Sequence, residues 1–209
     1  MFYFVKTPWW LKSIYDSYVW HMPAIEKALY LTFDDGPHPE ATPFVLKQLK
    51  QHNAFATFFC IGKNVVMHPD IYKQITDEGH AIGNHTYNHL NGWKTNNDAY
   101  MKDIALASRE IESNLFRPPY GRITSFQAKN LNAVMRGKKA KVIMWDVLSA
   151  DFDPDCTPTQ CLANVILPSV SGSIIVFHDS EKAFPKLEYT LPRMLKYFSE
   201  KGYLFKSLE

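Results

Sequence analysis

Two neighbouring carboxylates, two histidines four residues apart and a histidine ending an apolar run are the groups in this chain best suited to chemistry. Asp34 and Asp35 stand side by side in "LTFDDGPHPE" (31–40), at the end of an apolar stretch and directly before Gly36-Pro37. Adjacent carboxylates repel, and in a strand successive side chains leave on opposite faces, so the pair is expected to divide two different jobs. "HTYNH" (85–89) sets His85 and His89 at i, i+4, which turns both imidazoles toward one point if the segment coils even briefly. Two histidines and a carboxylate from elsewhere make a common three-ligand zinc site with a fourth position for water. Alone, such a spacing is more often surface histidine; its place after a strand, opposite Asp34 and Asp35, reverses that weighting. His178 closes "SIIVFH". A lone histidine on a buried strand is more often a satisfied core residue than a proton donor.

These groups need elements to position them. From residue 28 onward, β-like apolar runs alternate with helical ones. Strands are expected at "ALYLTF", "ATFFCIG", "AIGNH", "NLFRPP", "AKVIMWDV", "SIIVFHD" and "YLFKSL". Helices are expected at "TPFVLKQLKQHN", with Thr42 as N-cap and Pro43 in its first position, and at "HPDIYKQITDEGH", stopped by Gly79. Others are expected from Asp98 to Asn114, where Tyr100, Ile104, Ala107 and Ile111 recur at helical spacing, and over "TSFQAKNLNAVMRG", "PTQCLANVIL" and "LPRMLKYFSEKG". Repeated strand-helix units require a parallel sheet, as an α/β barrel or an open doubly wound sheet, and in either the ligand sits at the carboxyl ends of the strands. The polar groups fall there: Asp34 and Asp35 after the first strand, His85 after the third, Arg117 and Tyr120 after the fourth, Asp146 to Asp151 after the fifth and His178 after the sixth.

A chain of 209 residues suits one domain with a substantial core. A net charge of +2, mixed along the sequence, gives no basic stripe and argues against nucleic acid as a partner. The three cysteines form no C-x-x-C pair, so neither a zinc ribbon nor a dithiol redox motif is indicated, and free thiols are expected. Aromatic residues make up 14% of the chain, a level compatible with carbohydrate stacking but explained as well by a filled core. Residues 1–27 are rich in them, yet Lys6, Pro8, Lys12 and Asp16 interrupt the stretch before it reaches signal-peptide or transmembrane length. They read as an aromatic extension packed on the domain, with an interfacial anchor in peripheral contact with a membrane as the sharper alternative. Preceding the first motif and offering no ligand beyond His21, this extension is expected to be dispensable for chemistry. With no cleavable signal read, location is left between cytoplasmic and membrane-peripheral, although a cell-envelope substrate fits as well.

"TFDDG" (32–36), "HTYNH" (85–89), "RPPYG" (117–121), "WDVLSADF" (145–152) and "IIVFHD" (174–179) resemble, in order, the five motifs of the polysaccharide deacetylases, the NodB-homology or carbohydrate esterase family 4 domain. The resemblance spans residues 28 to 206 and implies an α/β fold, a distorted (β/α) barrel, with the catalytic domain at 28–209. It implies Asp34 as general base and Asp35, with His85 and His89, as metal ligands, the metal being zinc with cobalt or nickel able to substitute. It further implies Arg117 as the residue orienting the base, the Tyr120 backbone N–H as half of an oxyanion hole, His178 as general acid and Asp151 as its partner, with Asp146 and Asp153 as close competitors. Tyr120, Phe152 and Val176 are implied to line the substrate site. The chain departs from the family at Leu148, in place of a carboxylate, at Phe152, in place of a tryptophan, and at Val176, in place of a leucine. These departures bear on substrate preference more than on chemistry. The implied activity is removal of N-acetyl groups from an amino sugar in a polysaccharide or oligosaccharide, peptidoglycan or chitin-like, by a monomer. An O-acetyl esterase and a catalytically silent carbohydrate-binding domain are the two rival readings.

Overall fold

The computed structural model describes residues 3–135 and 139–208. The chain runs α1 (Trp9–Ile14), β1 (Ala28–Asp34), α2 (Ala41–Gln51), β2 (Ala56–Cys60), α3 (Gly62–Met67), α4 (Pro69–Asp77), β3 (Ala81–Asn84), α5 (Asn97–Ala107), β4 (Leu115–Phe116), a 3₁₀ turn (Pro119–Gly121), α6 (Ser125–Val134), β5 (Lys141–Val142), β6 (Val147–Leu148), α7 (Pro158–Ile166), β7 (Ile174–His178), α8 (Phe184–Glu200) and β8 (Leu204–Phe205). The sheet order is β5-β4-β3-β2-β1-β7-β6, with β8 beside the start of β1, and the pairings between these strands are parallel. β1 is central and buried along its whole length, as expected of a parallel strand covered on both faces. Among the described residues no helix is long and apolar enough to cross a membrane.

Several boundaries differ from those predicted. α2 starts two residues early, with Glu40 and not Thr42 at the N-cap, because the His38 imidazole accepts the Glu40 and Ala41 N–H groups, which frees Thr42 to turn its hydroxyl inward to Asp179. α5 ends at Ala107: the Ser108 hydroxyl bonds the Ile104 carbonyl and receives the Asn84 amide, and the chain leaves in turns. Pro192 predicts a helix start, yet α8 begins at Phe184 with Pro185 in its first turn and runs through Pro192 to bury Leu187, Leu191, Met194 and Phe198. α6 and α7 open with reciprocal capping boxes, Thr124 with Gln127 and Thr157 with Gln160. The last residues of the expected "TSFQAKNLNAVMRG" helix, 136 and 137, lie outside the described residues.

The largest departure sets the shape of the molecule. "AKVIMWDV" reads as one strand, but its first half, β5, pairs with β4 and its second half, β6, pairs with β7, at opposite ends of the sheet order. Seven strands laid flat would separate the two ends by about 29 Å at ~4.8 Å per gap. The four residues between β5 and β6 span at most roughly 18 Å even fully extended. The sheet therefore curls into a distorted barrel, and residues 143–146 cross its seam.

The N-terminal segment completes that seam rather than sitting outside it. Val19 pairs with Ile143, Lys6 with Val147 and His21 with Ser173. The Val19 N–H donates to the Val142 carbonyl at 2.9 Å and the Met144 N–H returns to Val19 at 2.8 Å. Asp146, buried in the seam, accepts from Ser173 Oγ at 2.6 Å and is paired with the ammonium groups of both Lys6 and Lys12. Breaking a buried ion pair from one side leaves an uncompensated charge, so the two lysines bind this segment firmly to the sheet. The aromatic extension thus packs on the domain, with Trp20 buried against Tyr100, Phe116 and Met144.

Candidate active site

The site is built at the carboxyl end of β1. Asp34 is its last residue, and at Asp35 the backbone switches to a left-handed conformation with φ of 83°, so the two carboxylates part. Such a conformation is costly for a non-glycine residue, and the Asn64 side chain helps hold it by donating to the Asp35 carbonyl at 2.7 Å. Gly36 follows, packed so closely on Asp179 that a Cβ would lie 2.0 Å from its carboxyl oxygen.

Asp35, His85 and His89 converge, with their ligand atoms all within 4.8 Å of one another. Asp35 Oδ1 lies 3.2 Å from His89 Nε2 and 3.7 Å from His85 Nε2. It is nonetheless buried without a hydrogen-bond partner, so the imidazoles approach it without bonding geometry. Three donors directed at one point, one of them an orphaned carboxylate oxygen, fit a divalent cation. Burial lowers the pKa of His85 to about 4, which keeps the ring neutral as ligation requires. Its Nδ1 lies 2.7 Å from the Arg117 carbonyl, an acceptor only, so the proton sits there and Nε2 presents the lone pair. Burial resists ionisation of Asp35, but the surrounding histidines outweigh it and hold the carboxyl below its usual range.

The two histidines are not on a helix. Residues 85–89 form a tight loop in which Thr86 and His89 are left-handed, with φ of 63° and 58°. Asp103 of α5 fixes the loop, accepting from Tyr87 N at 2.9 Å, Asn88 N at 3.0 Å and Asn88 Nδ2 at 2.6 Å. Sequence reasoning missed this residue, although a signal existed: Asp103 lies three residues from Tyr100 and four from Ala107, squarely on the apolar stripe of its helix. Asp103→Ala is expected to weaken metal affinity by about 10- to 100-fold, as loss of a supporting partner commonly does, measured by competition with a chromophoric chelator. Unchanged affinity would mean that the bond from the Thr86 N–H to Asn84 Oδ1, at 2.8 Å, suffices to hold the loop.

Arg117 is fully buried beneath Asp34. Its Nη1 donates to Asp34 Oδ1 at 2.7 Å and to Thr32 Oγ1 at 2.6 Å, while Nη2 and Nε reach the Met144 and Ile143 carbonyls at 2.9 and 3.3 Å. The guanidinium also lies 4.2 Å from the centre of the Phe59 ring. So held, it fixes the orientation of one carboxylate oxygen.

His178 ends β7, and Asp151 grips it twice, at Nδ1 at 2.7 Å and at the backbone N–H at 2.8 Å. The competing carboxylates are occupied elsewhere, Asp146 by the two lysines and Asp153 by the Tyr3 hydroxyl at 2.6 Å. Burial alone would discharge His178, but Asp151 overrides it and, with Asp35 and Asp34, raises its pKa to about 10. Asp179 does not pair with this ring. It accepts from Gly36 N at 3.1 Å and bonds Thr42 Oγ1 at 2.5 Å, and burial pushes its carboxyl up to about 8.

Asp34, Asp35, His85, His89 and His178 line a single cavity of about 610 Å³, the size of a typical ligand pocket. Tyr120, Phe152 and Val176 line it too. Tyr120 is half exposed in a left-handed turn, its ring 4.7 Å from that of His89. Within the turn, Gly121 N and Arg122 N bond back to Pro118 and Pro119, and the prolines have no N–H, which leaves the Tyr120 N–H as the remaining donor. Phe152 sets its ring 5.2 Å from the His178 imidazole, and Val176 pairs with Leu148 on the floor.

A curled parallel (β/α) sheet carrying a mixed carboxylate-imidazole donor set, flanked by an arginine-bound carboxylate and a carboxylate-bound histidine, defines a class: hydrolases of the (β/α) type. Within it the chain belongs to the polysaccharide deacetylase family, whose profile matches residues 21–135. A peptidoglycan-N-acetylglucosamine deacetylase of Bacillus cereus is 39% identical over 171 residues, covering 78% of this chain but only 60% of that relative. The chitooligosaccharide deacetylase of Azorhizobium caulinodans is 36% identical over 162 residues, covering 74% of each chain. Among solved structures, the Bc1960 peptidoglycan N-acetylglucosamine deacetylase in complex with 4-naphthalen-1-yl-N-oxidanyl-benzamide superposes with a TM-score of 0.86 at 32% identity, covering 97% of this chain and 95% of that one.

Proposed function

We propose that this protein is a metal-dependent N-deacetylase that releases acetate from N-acetylated amino sugars in a peptidoglycan or chitin-like glycan. One observation carries the reading. A single cavity holds the Asp35-His85-His89 donor set together with a carboxylate oriented by a buried arginine and an imidazole kept charged by a buried carboxylate.

A divalent ion on Asp35, His85 and His89, zinc by its mixed N/O donors with cobalt or nickel able to substitute, would polarise the acetyl carbonyl and acidify a water. Asp34 takes a proton from the attacking water, and Arg117 keeps the carboxylate aimed. The Tyr120 N–H donates to the negative charge that develops on the acetyl carbonyl oxygen as water attacks the carbon. His178, with Nδ1 engaged by Asp151, gives a proton from Nε2 to the departing nitrogen. The acetyl methyl finds apolar surface at Val176 and Leu148.

The charged state of His178 favours amide over ester cleavage, because an amine leaves only when protonated. The complete acid-base set favours an enzyme over a silent binding domain. Acetate release from a panel of defined N- and O-acetylated glycans tests the reading, and turnover confined to O-acetyl substrates would overturn it. For the metal, His85→Ala and His89→Ala are expected to abolish stoichiometric binding by elemental analysis. Unchanged metal content in both would place the ion elsewhere.

A further inference from the structure

The cavity extends beyond the reacting groups to the N-terminal segment, with Phe4, Trp10, Leu11 and Tyr15 sharing the lining with Asp35 and His178. We propose that Trp10 is a stacking platform for a sugar ring further along the glycan from the unit that reacts, so that the N-terminal segment sets a preference for longer substrates. The proposal rests on the glycan-deacetylase reading of the same site.

Trp10 is 45% exposed although it faces a cavity continuous with the catalytic groups, and exposed apolar surface in a groove marks a contact for ligand. Its ring meets Phe4 edge-on at 6.3 Å. It is carried by a fixed element, since α1 is tied to buried Asp146 through Lys12 and is preceded by Thr7, whose hydroxyl donates to the Trp145 carbonyl at 2.8 Å and whose N–H donates to the Asp146 carbonyl at 2.9 Å. Behind it the wall is braced by the stacked pair Tyr15–Tyr18, with centroids 5.5 Å apart, and by Trp20 Nε1 donating to the Tyr15 carbonyl at 2.9 Å. A pyranose ring offers a flat face of C–H groups and a polar rim, which suits an indole whose face is electron-rich and whose surroundings are mostly apolar. With one amino sugar at the donor set, the next units of a polymer must run over the remaining lining of this cavity. Trp9, the neighbouring residue, is 79% exposed and outside the cavity, and serves as an internal control.

The test compares wild type, Trp9→Ala and Trp10→Ala, each zinc-loaded and checked for an unchanged melting temperature, on the β-1,4-linked dimer and hexamer of N-acetylglucosamine. Trp10→Ala is expected to lower kcat/KM on the hexamer roughly tenfold, through KM, while leaving the dimer within about twofold; Trp9→Ala is expected to change neither. Equal losses on both lengths, no loss at all, or the same loss at Trp9 overturns the proposal. Binding of the hexamer, followed by tryptophan fluorescence, separates the platform from the chemistry. A wild type that binds the hexamer through Trp10 yet releases no acetate sinks the catalytic reading and supports the platform, whereas a wild type that does not bind it sinks the platform. Hexamer binding retained in Trp10→Ala, with binding to phosphatidylglycerol vesicles lost, would assign the segment to a membrane and also overturn it.

Discussion

Asp34→Asn is expected to keep its metal and lose about 10²- to 10⁴-fold in turnover, the usual cost of removing a general base. The substitution is nearly isosteric, and the amide oxygen can still accept from Arg117 Nη1, so the geometry around the donor set survives. What disappears is the negative charge that takes the proton. Arg117 is then left fully buried without its counter-ion. Removing one side of a buried pair costs up to about 3–5 kcal/mol, an upper bound here because Thr32, Ile143 and Met144 still accept from the guanidinium. A lowered melting temperature should accompany the lost turnover, and rates should be normalised to folded, metal-loaded protein. Loss of metal in this variant would show that Asp34 and Asp35 have exchanged roles.

His178→Ala is expected to separate amide from ester chemistry. Expelling an amine needs a proton delivered to nitrogen, whereas the phenolate of an activated acetate leaves readily without one, so the variant should lose far more activity on an N-acetyl sugar than on an aryl acetate. Equal losses on both would favour the esterase alternative. The pH profile carries the same signature. Because Asp151 is the strongest influence raising the His178 pKa, the acid stays protonated through neutrality and the basic limb lies well above pH 7. Asp151→Asn should move that limb to lower pH while leaving the acidic limb in place. The sign for stability follows from the raised folded-state pKa: the pair stabilises fully below about 6.5, where the unfolded histidine is also charged, and its contribution is lost as pH rises through about 10.

The residues that gather in the cavity were legible because each stands at the end of a strand-like run, where a parallel sheet brings together residues distant in sequence. Asp34 and His178 end two strands and His85 and Arg117 directly follow two others, and local patterning alone placed them on one rim. The choice of Asp151 over Asp146 and Asp153 came from the resemblance and not from local patterning, since it depends on which carboxylate faces β7 and which faces two lysines some 140 residues away. Asp103 was passed over because a charged residue on a helix is ordinarily solvated. The seam was hidden for a related reason: eight extended residues look like one strand whether they pair with one neighbour or with two at opposite ends of a sheet. The aromatic segment was legible as packed material but not as cavity wall, because composition does not say which side of an aromatic residue faces solvent.

The seam also orders the assembly of the molecule. The backbone of residues 5–7 pairs with residues 146–148, Val19 with residues 142–144, and His21 with Ser173. During synthesis residues 5–21 therefore lack these backbone partners until positions about 120 to 150 residues further along have been made. Contacts of such sequence separation are slow to form and leave apolar surface open to misassociation. Closure of the barrel is then a late event, in which one short segment supplies both the last strand-like pairing and the cations that neutralise Asp146.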